Sequence, residues 1–160
     1  MDCSTIQFKY ADPFSEGDLA QVIRLFRTAA FWAQDRTEAD MATAIAHSFP
    51  VVTAWDGDVL MGFARATSDG VFRATIWDVV IDPAYQGGGL GRKMVETLLS
   101  HPHMSRVERV YLMTTRQQGF YQRIGFEENP STTMVLFNNT AVEMLPALGQ
   151  PENITASFVA

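Results

Sequence analysis

The segment Ile76-Trp77-Asp78-Val79-Val80-Ile81-Asp82-Pro83-Ala84-Tyr85-Gln86-Gly87-Gly88-Gly89-Leu90-Gly91-Arg92-Lys93 decides how this chain folds. An apolar, β-branched run ends in a proline turn, passes through a cluster of glycines and continues into residues with helical spacing. Glycines let a ligand approach the main chain closely, and the unpaired N–H groups at a helix start attract anions. Arg92 and Lys93 add positive charge at the same place. The loop reads as a phosphate cradle; the plainer alternative is a turn that only joins strand to helix. Two nucleotide-binding patterns fail on spacing. A dinucleotide G-x-G-x-x-G beginning at Gly87 needs glycine where Arg92 stands, and a P-loop needs a glycine followed directly by lysine, which this segment lacks.

Outward from the loop, the element order is legible. Thr5 to Tyr10 alternates as a first strand, and Ser15-Glu16-Gly17-Asp18 has the form of a helix cap with an acidic third residue. Leu19, Val22, Ile23 and Phe26 then form one apolar helical face. A second helix is predicted over Thr37–Phe49, stopped by Pro50. Strands follow over Val51–Trp55 and Asp58–Thr67, hinged at Asp56-Gly57, and over Phe72–Ile81 after a turn at Ser68-Asp69-Gly70. Downstream come a helix from Gly89 to Ser100, a strand from Val107 to Met113, a helix from Gln117 to Ile124, and strands around Phe126–Glu128 and Met134–Phe137. Hairpins first and strand–helix–strand later predict an α/β (α+β) fold with a mixed, mostly antiparallel central sheet flanked by helices. Residues 1–137 read as the domain and 138–160 as a C-terminal tail.

Composition narrows the function classes. The chain has 160 residues, 47% of them apolar, enough for one domain with a sizeable core. Twelve Lys and Arg against 18 Asp and Glu leave a net charge of −6, which argues against nucleic-acid binding. The single cysteine, Cys3, excludes an internal disulfide and a thiolate zinc cage, and no metal site is expected. No apolar run has membrane-spanning length and the start, MDCSTIQFKY, has no leader-like stretch, so no membrane partner and a cytoplasmic location are expected.

Gln86-x-x-Gly89-x-Gly91 resembles the acyl-CoA pyrophosphate loop of the GNAT superfamily of N-acetyltransferases. Downstream, Gly119-Phe120-Tyr121-Gln122-Arg123-Ile124-Gly125-Phe126-Glu127 is similar to that family's F/L-Y-x-x-x-G-F segment. Ala64–Asp69 and Ala74–Pro83 are similar to the plastid-type serotonin (arylalkylamine) N-acetyltransferases of plants, a likeness spanning residues 50–137.

The resemblance implies a GNAT-like fold and acetyl-CoA (coenzyme A) as donor. It assigns Gln86, Gly87, Gly88, Gly89, Leu90, Gly91 and Arg92 to the pyrophosphate. It assigns the backbone of Val79, Val80 and Ile81 to the pantetheine arm, with the Val80 N–H on the thioester carbonyl. Tyr121 becomes the proton donor to the leaving thiolate, and Thr114 stands where the family often has a pantetheine-binding asparagine. The nucleophile must be a neutral amine; from a pKa near 10.4, neutrality at pH 7 costs roughly 4.6 kcal/mol. Where many relatives carry a basic glutamate this chain has Thr75, so Asp78, the nearest carboxylate on that strand, is the candidate base, acting through water. A structural acid is the alternative. His47, His101 and His103 are weaker candidates, and His101-Pro102-His103 reads as a solvated pair. Phe31, Trp32 and Trp77 are candidates to sandwich an aromatic amine, with core packing the alternative for Trp77. The expected partner is a small-molecule amine or protein lysines, and the expected state monomer or homodimer. The rival readings are a protein lysine acetyltransferase and a non-catalytic acyl-CoA-binding regulatory module.

Overall fold

The computed structural model describes residues 5–11, 14–131 and 133–136. The chain divides into two compact units, residues 1–126 and 127–160, and every described helix and strand belongs to the first. The expected tail at 138–160 lies outside the described residues.

Five strands, β1 (Gln7–Tyr10), β2 (Val51–Asp56), β3 (Val59–Ser68), β4 (Arg73–Ile81) and β5 (Arg109–Tyr111), form one sheet in the order β1-β2-β3-β4-β5. All neighbours pair antiparallel except β4 and β5, which run parallel. The helices are α1 (Glu16–Ala29), α2 (Glu38–Ala46), α3 (Leu90–Ser100) and α4 (Gln118–Gln122). The expected mixed, mostly antiparallel sheet with flanking helices is the fold observed.

Local chemistry sets the helix starts. Ser15 Oγ accepts from the Asp18 N–H at 3.1 Å while the Asp18 carboxylate takes the Ser15 N–H at 3.2 Å, a reciprocal cap worth about 1 kcal/mol. Thr37 Oγ1 caps α2 by accepting the Asp40 N–H at 3.1 Å and donates to the Asp40 carboxylate at 2.7 Å. Val22, Ile23, Leu25 and Phe26 of α1 and Met41 and Ile45 of α2 are buried with Val51, Leu60, Phe63 and Val80 of the sheet. Leu90, Met94, Val95 and Leu98 of α3 are buried with Val52, Met61, Ala64 and Ile76. Successive strand side chains point to opposite faces, so α1 and α2 cover one face and α3 the other.

Three sequence expectations need correction. α2 stops at Ala46 rather than Phe49, because the Phe49 N–H is drawn into the sheet by the Ala66 carbonyl at 2.8 Å. β5 has three residues rather than the seven of Val107–Met113, because β4 pairs with it only from Arg73 to Thr75. No strand forms at Phe126–Glu128 or at Met134–Leu136, and Phe137 lies outside the described residues. An alternating pattern makes a strand only where a neighbour takes its main-chain groups, and the Phe126 N–H is turned back onto the Tyr121 carbonyl at 3.1 Å to close α4.

One irregularity positions the site. Phe63 pairs with Val80 and Arg65 with Trp77, so β4 carries one residue more than β3 between those pairs. Asp78 lies in this bulge with φ 53°, a left-handed conformation that Asp tolerates better than most residues.

Candidate active site

Thr75 opposite Tyr111 is the last β4–β5 pair. Past it the open edge of β4 faces a cleft of about 680 Å³, lined by Val79, Val80 and Ile81, by the glycine loop, by the start of α3 and by α4. That volume suits a small-molecule ligand.

The loop is built as a rigid cradle. Asp82 Oδ1 accepts the Ala84 N–H at 3.0 Å, and the Gln86 side chain donates to the Ile81 carbonyl at 3.0 Å. Tyr85 Oη donates to Asp56 at 2.9 Å, which pushes the Tyr85 hydroxyl above its ordinary value. Gly87 and Gly89 have φ of 86° and 78°, and a Cβ at either would meet nothing within 4 Å, so each is glycine for backbone conformation rather than for space. Gly89 caps α3. The first intrahelical bond runs from Lys93 N–H to the Gly89 carbonyl at 3.1 Å, leaving the Leu90, Gly91 and Arg92 amides ahead of it as anion donors.

Most of the predicted site comes together. Gln86, Gly87, Gly89, Leu90, Gly91, Arg92, Tyr121, Phe31 and Trp32 all line this cleft with the three β4 residues. Gly88 does not. Arg92 pairs with Glu96 at 2.6 Å on an exposed helix face, whereas Lys93 turns to the Phe8 ring at 5.0 Å and is off the cleft. Tyr121 is wedged edge-on between Phe120 at 4.9 Å and Phe126 at 5.8 Å, and burial raises its hydroxyl above the ordinary 10.0. Phe31 and Trp32 stack edge to face at 5.1 Å on a single 3-10 turn, Phe31–Ala33, and are 76% and 51% exposed.

Other predicted residues are placed differently. Asp78 does not line the cleft; its Oδ2 is shared by Arg65 Nε at 2.7 Å and Arg36 at 2.9 Å, with 6% of the side chain exposed. A base must reach the proton it takes, so the structure gives this carboxylate a structural position. Trp77 is also off the cleft, its indole N–H bound to Thr67 Oγ1 at 2.9 Å and its ring 5.8 Å from the Arg65 guanidinium. Thr114 spends its hydroxyl oxygen on the Gln117 N–H at 3.1 Å, and Gln117 lines the cleft in its stead.

The Val80 amide is a further correction. The Asp82 N–H donates to the Met61 carbonyl at 2.8 Å, and antiparallel bonding alternates, so Val80, paired with Phe63, directs its N–H at β3. Ile81 faces the opposite way, as its carbonyl bond to Gln86 requires. Ile81, with Val79 in the bulge, therefore supplies main chain to the open edge.

His101 and His103 form no solvated pair. The His101 ring packs on Tyr10 at 4.8 Å and Phe49 at 5.0 Å, His103 packs on Phe49 at 5.1 Å, and burial together with the neighbouring His103 lowers His101 below 6.5. Neither they nor His47 line the cleft, and among the described residues no Asp, Glu or His does. Among the described residues no three His, Cys, Asp or Glu side chains gather as a metal site. No described helix is long and apolar enough to cross a membrane.

Ala29, Gln117, Phe120, Arg123 and Ile124 are lining residues that the sequence reading missed. The signal for Ile124 was available: it follows Tyr121 by three residues, the spacing of neighbours on one helix face.

The profile of the acetyltransferase (GNAT) family matches residues 19–126, more than half of the chain. The chain belongs to the GNAT acetyltransferase family. Its GNAT fold is shared with an acetyltransferase of that family from Streptococcus pneumoniae, at a TM-score of 0.69 and 26% identity over 84% of this chain and 98% of that one. A GNAT-family protein of Xanthomonas campestris superposes with a TM-score of 0.71 at 24% identity, covering 83% and 93% of the two chains. Among curated relatives, the chloroplastic GCN5-related N-acetyltransferase 2 of Arabidopsis thaliana is 46% identical over 79 residues, 49% of this chain and 31% of that protein. A histone acetyltransferase of Glycine max is 43% identical over 79 residues, 49% and 34% of the two chains. The chloroplastic serotonin N-acetyltransferase 2 of Oryza sativa subsp. japonica is 44% identical over 71 residues, 44% and 36% of the two chains. The matched segment thus spans about a third of these relatives' length. The expected cytoplasmic location is overturned by the same relatives: those from Arabidopsis and rice are named chloroplastic.

Proposed function

We propose that this chain is an acetyl-CoA-dependent N-acetyltransferase acting on the primary amine of an arylalkylamine such as serotonin or tryptamine. One observation carries the reading: a single cleft joins a glycine cradle at a helix start, an open strand edge, Tyr121 and the exposed Phe31–Trp32 pair.

The residues present fit the donor. The α3 amides, Arg92 and Arg123 suit a polyanionic diphosphate, and Ile81, Leu90, Phe120 and Ile124 offer an apolar wall to its arm. When bound, acetyl-CoA supplies an acetyl group activated as a thioester. The Ile81 or Val79 N–H then faces the charge that develops on the carbonyl oxygen. A C–N bond forms and the C–S bond breaks. Tyr121 gives its proton to the departing sulfur and recovers one from solvent. The amine gives up its proton to water, since a neutral amine is the nucleophile.

Protein lysine is the second reading, supported by the name of the soybean relative. A thiol-release assay over tryptamine, serotonin, phenethylamine and a lysine peptide tests both, with Tyr121→Phe as control. Turnover is expected with the aromatic amines and lost in the control. Turnover confined to the peptide favours the second reading, and acetyl-CoA binding with no turnover on any amine replaces both with an acyl-CoA-binding module.

A further inference from the structure

The ion-paired cluster around Asp78 is not used by the chemistry above, yet it joins both halves of the cleft. Asp78 is a left-handed, non-glycine residue at the β4 bulge, immediately before the Val79–Ile81 edge. Its Oδ2 receives Arg65 Nε from the neighbouring β3 at 2.7 Å. Arg65 in turn reaches Ser48 Oγ at 3.0 Å, and Ser48 closes the end of α2 by donating to the Ala44 carbonyl at 2.6 Å. The second guanidinium, Arg36 at 2.9 Å, comes from the segment between α1 and α2. Five and four residues before it stand Phe31 and Trp32, and the turns here are held by Ala33 N–H to Ala30 O at 3.0 Å and Arg36 N–H to Ala33 O at 3.3 Å. The same carboxylate oxygen therefore ties the aromatic lip of the cleft to the strand edge that faces the donor.

We infer that Asp78 and Arg36 are positioning residues for the acetyl transfer proposed above: their ion pair latches the Phe31–Trp32 segment onto the β4 bulge and sets the acceptor amine's distance from the thioester. Arg65 holds the bulge from the β3 side; Arg36 holds the lip. The two arms predict different losses, which a merely structural cluster would not show. Removing Arg36 frees the lip while Arg65 keeps the bulge. Removing the Asp78 charge releases both.

The experiment compares Arg36→Gln, Arg36→Lys, Asp78→Asn and the double variant Arg36→Gln/Asp78→Asn. For each, steady-state kinetics with tryptamine, calorimetry with acetyl-CoA and hydrogen exchange at residues 31–36 are measured. Arg36→Gln is expected to raise the tryptamine KM roughly five- to tenfold, with kcat and acetyl-CoA affinity within about twofold of the parent. Arg36→Lys, which can still pair with Asp78, is expected to recover most of that loss. Asp78→Asn is expected to raise KM similarly and to lower kcat as well, and the double variant to add little to its KM. A tryptamine KM unchanged in Arg36→Gln, or a double variant whose effects add, overturns the latch. If no amine is turned over, the acetyl-transfer reading fails separately, and exchange alone decides the latch. Faster exchange at residues 31–36 in Arg36→Gln supports it; unchanged protection there overturns it.

Discussion

Alanine at Gly89 and alanine at Gly91 separate two reasons for placing a glycine beside a ligand. Gly89 caps α3 at φ 78°, and a Cβ there would meet nothing within 4 Å. The cost of Gly89→Ala is therefore backbone strain alone, about 1–2 kcal/mol. Gly91 lies inside α3, where a Cβ would meet Phe120 Cζ at 3.4 Å, an ordinary contact. Alanine there avoids the conformational entropy that glycine loses in a helix, a gain of up to about 1 kcal/mol. For a folded unit of this size each kcal/mol moves Tm by about 3–5 °C. Thermal melts should then show Gly89→Ala about 3–10 °C below the parent and Gly91→Ala level with it or a few degrees above. Calorimetry with acetyl-CoA should show Gly89→Ala binding more weakly, because that torsion aims the loop and the first helical amides at one point. A Gly89→Ala protein with unchanged Tm and unchanged acetyl-CoA affinity would refute the claim that the cradle depends on a left-handed residue.

Three further outcomes can be checked directly. Burial raises the Tyr121 hydroxyl above its ordinary 10.0, so it keeps its proton further into alkaline pH than a free tyrosine does. The rate should climb with pH toward the amine's own pKa and turn down only above about pH 10, while Tyr121→Phe should lose roughly 10²-fold in kcat and show no such downturn. The same shift fixes the sign for stability: Tyr121 costs nothing below the unfolded tyrosine's pKa, and stability falls as pH rises past it because the unfolded chain ionises first. Arg92→Glu removes a cation from the cleft and sets a second carboxylate four residues before Glu96. Acetyl-CoA affinity should fall roughly tenfold or more, with the gap narrowing as salt is added, and an affinity unaffected by the charge reversal would count against the diphosphate placement.

Features encoded by neighbours in the chain are legible in the sequence itself. The Ser15–Asp18 cap, the Asp56-Gly57 turn and the glycine cradle each depend on residues only a few positions apart. The glycine-loop wall of the cleft was legible for the same reason, since Gln86 to Arg92 is one continuous stretch. What escaped reading depends on partners distant in sequence. Asp78 looked like a free carboxylate because Arg36 and Arg65, which occupy it, stand far from it along the chain. Trp77 looked available to a substrate until Thr67 and Arg65 were seen to claim it. The bulge in β4 has no signature in composition, yet it decides which amides of Val79, Val80 and Ile81 face outward. A strand was expected around Phe126, but the backward bond to Tyr121 used the very N–H a ladder would need.

The early parting of β4 from β5 has a consequence for how the protein keeps its own company. A bare strand margin at a protein's surface invites other polypeptides to zip onto it, which is a common route to aggregation. Here the unmatched stretch at Val79–Ile81 is sunk in a furrow walled by α4 and the start of α3. A slender, flexible guest can thread that furrow and satisfy the margin, whereas a bulky sheet from another molecule is kept out by the walls. The fold thus shelters a margin of β4 that is unpaired among the described residues from casual pairing.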